Sequence, residues 1–406
     1  MTRRRINRLP GMVDVMGRDH EVLSEAVGTL KSFLSEAGYS PIDTPLLEET
    51  ELFVRKSGGE LTSRLYTFTE PGGRRVSLRP EFTSSVIRYF IDEVGPDKTP
   101  FRCHYSGPVF RYEPGDASNL RQFTQVGAEL VGAAGTDADA EMLAVAWNGL
   151  RRVGLEGQRL RIGHLGLIHD LLDRYTLSEP AKMFLIGRLQ ELKDGSLDAA
   201  GLRQRAEGTG LLSGSNGSPP GAAESEGIDE AAVGFIKEAL SASMPSSLGG
   251  RSAEEIIARM LRKARRPDDG AIFEEAAEAV SRLVRLEGAP DHVIEAANRV
   301  VEGVPTCRDH FKPLESLVEA LTRKGIGESD LVLDMGMVRG IAYYTGAIFE
   351  IMAGDGRSLG GGGRYDGLVR ALGGDEDVPA LGFAYSMDQV VGSLTDRTES
   401  QARVSL

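Results

Sequence analysis

The sequence predicts an α+β chain: an antiparallel sheet flanked by helices and interrupted by a mainly helical insertion. Three observations carry this. Short β-type runs fall in hairpin-like groups toward both ends of the chain, not in strict strand–helix alternation. Between them, from about 166 to 325, Ala, Glu, Leu and Arg dominate with helical periodicity. The chain also has no P-loop and no G-x-G-x-x-G after a strand, which argues against a Rossmann-type sheet.

The elements follow in order. Residues 20–37 read as an amphipathic helix, with Val22, Leu23, Val27, Leu30 and Leu34 on one face and Gly38 as its C′ residue. Pro41-Ile42 and Thr44-Pro45 then begin an extended stretch. The runs 65–68 and 76–78 flank a Pro71-Gly72-Gly73 turn and predict a hairpin. Residues 81–94 read as a helix, and 101–112 and 122–132 as strands around a polar loop, 113–119, that holds Pro114, Gly115 and Asp116. Thr136 is a candidate N-cap for a helix with Asp137, Asp139 and Glu141 at its start, Val145, Trp147 and Leu150 along it and an end near Gly154. Leu160 to Ile162 is a further β run.

Helical periodicity then recurs around 167–173, 181–193, 229–240, 252–265, 271–286 and 291–302. The stretch 208–227 has the Gly/Ser/Pro composition of a flexible linker, and 241–251 is a shorter break. The β signal returns at 331–333, 347–352 and 380–384, and the last ten residues read as a polar tail. The expected division is a core in two parts, 1–175 and 328–396, with a helical insertion at 176–327 and a tail at 397–406.

Composition narrows the function classes. At 406 residues the chain is long enough for two or three domains. A formal charge of −13 argues against broad wrapping around nucleic acid, which needs a basic footprint. Cys103 and Cys307 give neither a disulfide framework nor a zinc set, and no cluster accompanies His164 and His169, so no metal is expected. No apolar run approaches the ~18 residues a membrane span needs, and the MTRRR start leads into no apolar h-region. A cytoplasmic protein is expected.

Three constellations carry chemistry. In Arg79-Pro80-Glu81-Phe82-Thr83, Glu81 and Thr83 sit at a strand-to-helix corner, where a carboxylate either binds an ammonium group or caps the helix. In the run from Arg121 to Glu129, alternation puts Arg121, Phe123, Gln125, Gly127 and Glu129 on one face. Gly127 leaves room for something to approach the sheet. Carboxylates for an amine and an arginine for a carboxylate are what a zwitterion pocket uses; a solvated face is the alternative. Four glycines, 360–363, precede Arg364-Tyr365-Asp366 and let the backbone run close to a ligand or another strand, or form a loose turn; Tyr343 and Tyr344 lie in a separate Gly-flanked phrase and are equally core candidates.

Taken together, the phrases LPGMVD, RPEFT, FRYE, RQFTQVGAEL, VRGIAYYTG, GGGGRYDGL and LGFAYSMD resemble, in order, the catalytic core of class II histidyl-tRNA synthetases. The resemblance covers about 1–175 and 328–395. It implies a class II aminoacyl-tRNA synthetase-like antiparallel sheet and a dimer. It implies a histidine pocket of Glu81, Thr83, Gln125, Glu129, Tyr343, Tyr344 and Tyr365, with Arg111 and Arg339 facing the substrate carboxylate and α-phosphate, and Glu113 and Arg121 remaining on the nucleotide side.

The sequence departs from the synthetase pattern at Asn119, where the family has the first arginine of R-x-R-Q-F, and at Gln389, where the last motif ends in arginine. Both arginines serve the triphosphate in that family, and a charge-assisted contact is worth roughly 1.5–3 kcal/mol. Ala342 replaces an Asp, and the chain closes soon after the last motif, before the anticodon-binding domain of roughly a hundred residues that a synthetase carries. Gly163-His164-Leu165-Gly166-Leu167 is similar to the regulatory subunits of ATP phosphoribosyltransferase. The expectation is a non-catalytic regulatory subunit in histidine biosynthesis. It would need no cofactor, bind histidine, and form a homodimer within a hetero-oligomer with the short-form catalytic subunit, with no membrane or tRNA partner. The alternative is a histidyl-tRNA synthetase-like enzyme lacking the anticodon-binding domain.

Overall fold

The computed structural model describes residues 6–55, 58–112, 120–212, 269–302, 304–337 and 344–404. They form two compact units. The first gathers the described residues of Met1–Arg161, Leu317–Leu331 and Gly340–Leu406; the second gathers those of Ile162–Ser316 and Val332–Arg339. The break between the units falls at 161/162, and 317–331 belongs to the first unit.

The chain opens with α1 (Arg18–Glu36), β1 (Ser40–Pro41), β2 (Leu47–Glu49), α2 (Thr50–Val54), α3 (Gly58–Ser63), β3 (Thr67–Thr69), β4 (Arg75–Leu78) and α4 (Thr83–Tyr89). It continues through β5 (Phe101–Phe110), β6 (Gln122–Val131), α5 (Thr136–Arg152), β7 (Arg159–His164), α6 (Leu165–Asp173), α7 (Glu179–Ile186), α8 (Leu189–Asp194) and α9 (Ala199–Gly208). After these come α10 (Gly270–Val284), β8 (Glu287–Gly288), α11 (Pro290–Val300), α12 (Pro305–Arg323), β9 (Leu331–Asp334), β10 (Ala347–Met352), β11 (Ser358–Arg364), α13 (Leu368–Ala371), β12 (Ala380–Ser386) and α14 (Met387–Val404).

In the first unit the strands run β1-β5-β6-β12-β11-β10. Only β1 and β5 pair in parallel; the other neighbours are antiparallel. The small sheet β2-β4-β3 contains the expected hairpin. Alternation sends Val126, Ala128 and Leu130 of β6 to the face opposite Gln125, Gly127 and Glu129, and all three are fully buried. That apolar face is covered by α5: Tyr385 of β12 donates its hydroxyl to Ala146 O at 2.5 Å. Leu30 and Leu34 of α1 are fully buried, and Gly38 (φ 88°) ends the helix as its spacing predicts.

In the second unit α10 is the central helix. Phe273, Ala276, Ala277, Val280, Leu283 and Val284 are buried along it, and it contacts α6, α8, α9 and α11. Asp269, Ser178 and Asp198 each cap a helix through the side chain. Lys193 joins Asp334 (2.6 Å) and Glu287 (2.8 Å).

Several expectations are corrected. The helix at 81–94 is α-helical only to Tyr89 and closes in a π turn, Phe90–Val94. Gly135, not Thr136, is the residue before α5, and no side chain caps it. The periodic run 181–193 is two helices, α7 and α8, joined at Gly187 and Arg188. Of the expected polar tail, 397–404 is helical: α14 reaches Val404. Of the alternatives for the 360–363 glycines, close passage along another strand is the one found: they lie in the central strand β11. The helices expected at 229–240 and 252–265, the break at 241–251 and most of the 208–227 linker lie outside the described residues. Among the described residues no helix is long and apolar enough to cross a membrane.

Gly149 faces the buried Tyr385 ring, and a Cβ there would overlap its hydroxyl and sit 3.2 Å from Leu30 Cδ2. Helix propensity favours Ala over Gly by about 1 kcal/mol, but overpacking a fixed core costs about 1–3 kcal/mol. Gly149→Ala is therefore expected to lower the melting temperature; an unchanged or higher Tm would contradict this packing.

Candidate functional site

The site lies on the other face of the β5-β6-β12-β11 layer. Cross-strand register fixes which residues share that face. Glu129 pairs with Cys103 and Gly382, Gly127 with Tyr105 and Ala384, and Gln125 with Gly107 and Ser386. On β11, Gly363 and Gly361 continue the rows. The floor is thus mostly Gly and Ala, and the polar groups rise around it. Glycine is required where neighbours crowd. A Cβ at Gly382 would overlap the Glu129 carboxylate, and one at Gly363 would lie 2.8 Å from Ala347 O.

Glu129 is the centre. It is 1% exposed. Thr83 Oγ1 (2.6 Å) and the Tyr105 hydroxyl (3.0 Å) donate to its Oε1, and the Tyr365 hydroxyl donates to Oε2. Burial pushes its pKa up to about 7, against the three hydroxyl bonds that lower it; nearby Glu81 adds to the rise. Glu81 is itself buried, and burial raises its pKa, while Arg111 pulls the other way. The Glu81 carboxylate accepts from Ser84 N at 3.2 and 3.1 Å, so the capping role is real at this corner. Thr83 does not cap: its hydroxyl belongs to Glu129.

The space left by Gly127 is filled by the Tyr105 ring, not by a vacancy for a ligand. Tyr105 stacks on Phe82 at 4.2 Å, and the Arg79 guanidinium sits 3.8 Å over Phe82. Arg79 also donates to Pro108 O (2.9 Å) and Thr44 O (2.7 Å), which braces the corner carrying Glu81. Tyr365 is held by its neighbours: Arg364 pairs with Asp139 (2.6 Å) and Asp366 (3.1 Å), and Tyr365 N donates to Ala380 O (2.8 Å).

Of the expected residues, Thr83, Glu129 and Tyr365 are directly bonded together, with Glu81 beside them. Gln125 is 6% exposed, and among the described residues nothing bonds its Oε1. Tyr344 is buried, with Gly363 leaving room for its ring. Arg111 donates to Pro80 O at 2.9 Å, with its guanidinium 5.2 Å from the Phe123 ring. The Arg121 guanidinium lies 4.4 Å from the Tyr112 ring. Glu113, Asn119, Arg339 and Tyr343 lie outside the described residues. Gln389 donates to Asp388 Oδ2 at 2.9 Å. Sequence reasoning missed Tyr105 and the Arg364–Asp139 pair; only strand register, not local spacing, brings the first to Glu129. Among the described residues no group of three or more His, Cys, Asp or Glu is placed to hold a metal ion.

A split antiparallel sheet with a buried carboxylate and this motif order defines a class II aminoacyl-tRNA synthetase-like catalytic core. The histidyl-tRNA synthetase family pattern matches residues 11–214 and 236–390, and the chain belongs to that family. The histidine–tRNA ligase of Methanocaldococcus jannaschii is 28% identical over 368 residues, 90% of this chain and 70% of that one. That of Thermococcus kodakarensis is 30% identical over 391 residues, 95% and 74%. The fold is similar to an ATP phosphoribosyltransferase regulatory subunit/histidyl-tRNA synthetase from Bacillus halodurans. The TM-score is 0.68 at 22% identity, covering 96% of this chain and 83% of that one. It is also similar to a histidine–tRNA ligase subunit from Alicyclobacillus acidocaldarius, with TM-score 0.64 at 24% identity, covering 98% and 100%.

The raised Glu129 pKa makes a stability prediction. In the unfolded chain Glu129 loses its proton near its ordinary value of 4.5, but in the folded chain it keeps it to about 7. Native stability therefore falls as pH climbs through that window and keeps the penalty above it, on the order of 3 kcal/mol. Glu129→Gln removes the charge, so its stability relative to the parent should rise between pH 5 and pH 8. Parallel urea-unfolding curves for the two proteins across that range would contradict the assignment.

Proposed function

We propose that this chain binds free histidine over the glycine floor and acts as a non-catalytic regulatory subunit on a separate ATP phosphoribosyltransferase. It would work in the cytoplasm as a homodimer within a hetero-oligomer. The observation that carries the reading is a contrast within one site. The carboxylate wall of Glu81 and Glu129, with its hydroxyl donors, is intact, while the arginine the family sets at the start of α14 is Gln389, whose amide turns onto Asp388.

A free amino acid suits what remains. Its cationic groups meet Glu129, Glu81 and the Gln125 carbonyl, and its carboxylate is the partner for Arg111. A triphosphate suits it less, because Gln389 brings no positive charge where the family sets an arginine. The name of the Bacillus halodurans structure joins both roles and is compatible with either reading.

The second reading is an active ligase. The names of the archaeal relatives favour it, and so does the retained Arg111. One pair of assays separates the two. Under the regulatory reading the purified chain performs no histidine-dependent ATP–pyrophosphate exchange, and it co-purifies with, and activates, the short-form phosphoribosyltransferase of its own organism. Robust exchange without co-purification selects the ligase.

Both readings need the pocket. Glu129→Ala is expected to weaken histidine binding by about 1–3 kcal/mol, the cost of leaving buried donors and a ligand cation without their acceptor. Calorimetry with histidine checks this, and unchanged affinity would remove Glu129 from the binding set.

A further inference from the structure

A second concavity in the first unit is unused by the histidine reading. It lies where the last turn of α5, the connection into β7 and the 325–330 connection meet. It encloses about 300 Å³ and is lined by Trp147, Arg151, Glu156, Gly157, Gln158, Gly325 and Asp330. That volume reaches the lower end of small-molecule sites, roughly 300–1,000 Å³.

Its chemistry is asymmetric. Gln158 is 2% exposed, and its Nε2 reaches Trp147 O at 3.5 Å. Among the described residues nothing donates to the Gln158 Oε1. A buried acceptor left so is costly, so it asks for a donor. Glu156, Asp330, Arg151 and Trp147 also line the cavity. The balance is anionic. Acceptor oxygens are the set that holds a cation carrying N–H donors. Gly157 and Gly325 have φ of 76° and 87°, so both backbone bends turn without a side chain that would fill the space.

We propose that this cavity binds a small protonated amine, held by Gln158 Oε1 and Asp330 beside Trp147. The site is distinct from the Glu129 pocket and does not depend on it. An anion such as phosphate is the wrong partner, because it would face two carboxylates and a carbonyl.

Trp147 is the only tryptophan in the chain, so its emission reports this cavity. The experiment is a fluorescence titration of the full chain with putrescine, with inorganic phosphate as the contrasting probe. Putrescine at millimolar concentrations should change Trp147 emission saturably, while phosphate should not. Asp330→Asn should raise the half-saturation concentration about tenfold, the effect of losing one charged contact. Gln158→Leu should also lose the response, and it should unfold at the same or a higher temperature, because it removes an unsatisfied acceptor from a buried position. Far-ultraviolet circular dichroism of both variants should match the parent, which shows that each is folded. The proposal is overturned by any of three results: no saturable change with putrescine, an equal change with phosphate, or a parental response in Gln158→Leu.

Discussion

The first unit is organised around one buried carboxylate. Glu129 sits in the middle of a sheet, where an ionisable group is expensive, and it is tolerated because three hydroxyls reach it from three different places. Thr83 comes from the start of α4, Tyr105 from the neighbouring strand, and Tyr365 from the end of β11. Each donor in turn needs support. Thr83 depends on the corner that Arg79 braces; Tyr105 depends on Gly127 beneath it and Phe82 above it; Tyr365 depends on the Arg364–Asp139–Asp366 bracket. Even so, the donors do not fully offset the burial, which is why the proton is held to about neutral pH. A group poised in that way is characteristic of binding and reaction sites rather than of plain structural cores.

The floor follows from the same constraint. A carboxylate and a phenol lying across a sheet need missing side chains beside them. Gly382 gives way to Glu129 and Gly127 to Tyr105, while Gly363 leaves room for Tyr344. The glycines are thus read as spatial complements of the polar groups, and their cost in chain entropy is the cost of building a concave surface on a pleated sheet.

Much of this was legible in the residues. Alternation in 122–131 placed Gln125, Gly127 and Glu129 on one face, and the Pro-Gly-Gly turn and Gly38 marked a hairpin and a helix end. What escaped was set by partners far away in sequence. Tyr105 gives no local sign of its role, since only the pairing of β5 with β6 brings it to Glu129. The run 360–363 hides a central strand because glycine lacks the side chains that normally announce one, and cross-strand crowding, invisible in a single sequence, demands it. Polarity alone predicts a tail over the last ten residues, yet 397–404 continue the helix that begins at Met387.

The pairing of β6 with β12 has a consequence for how the molecule is made. Strand 122–131 emerges from the ribosome long before strand 380–386, and the whole helical unit is synthesised between them. Until the later strand arrives, one edge of β6 has no mate and the half-built pocket has no Tyr365. Closure across so many residues is slow compared with local helix formation, and an unmated edge invites pairing with other chains. Nascent-chain protection by chaperones is therefore most valuable to this protein in the interval when its helical unit is being translated.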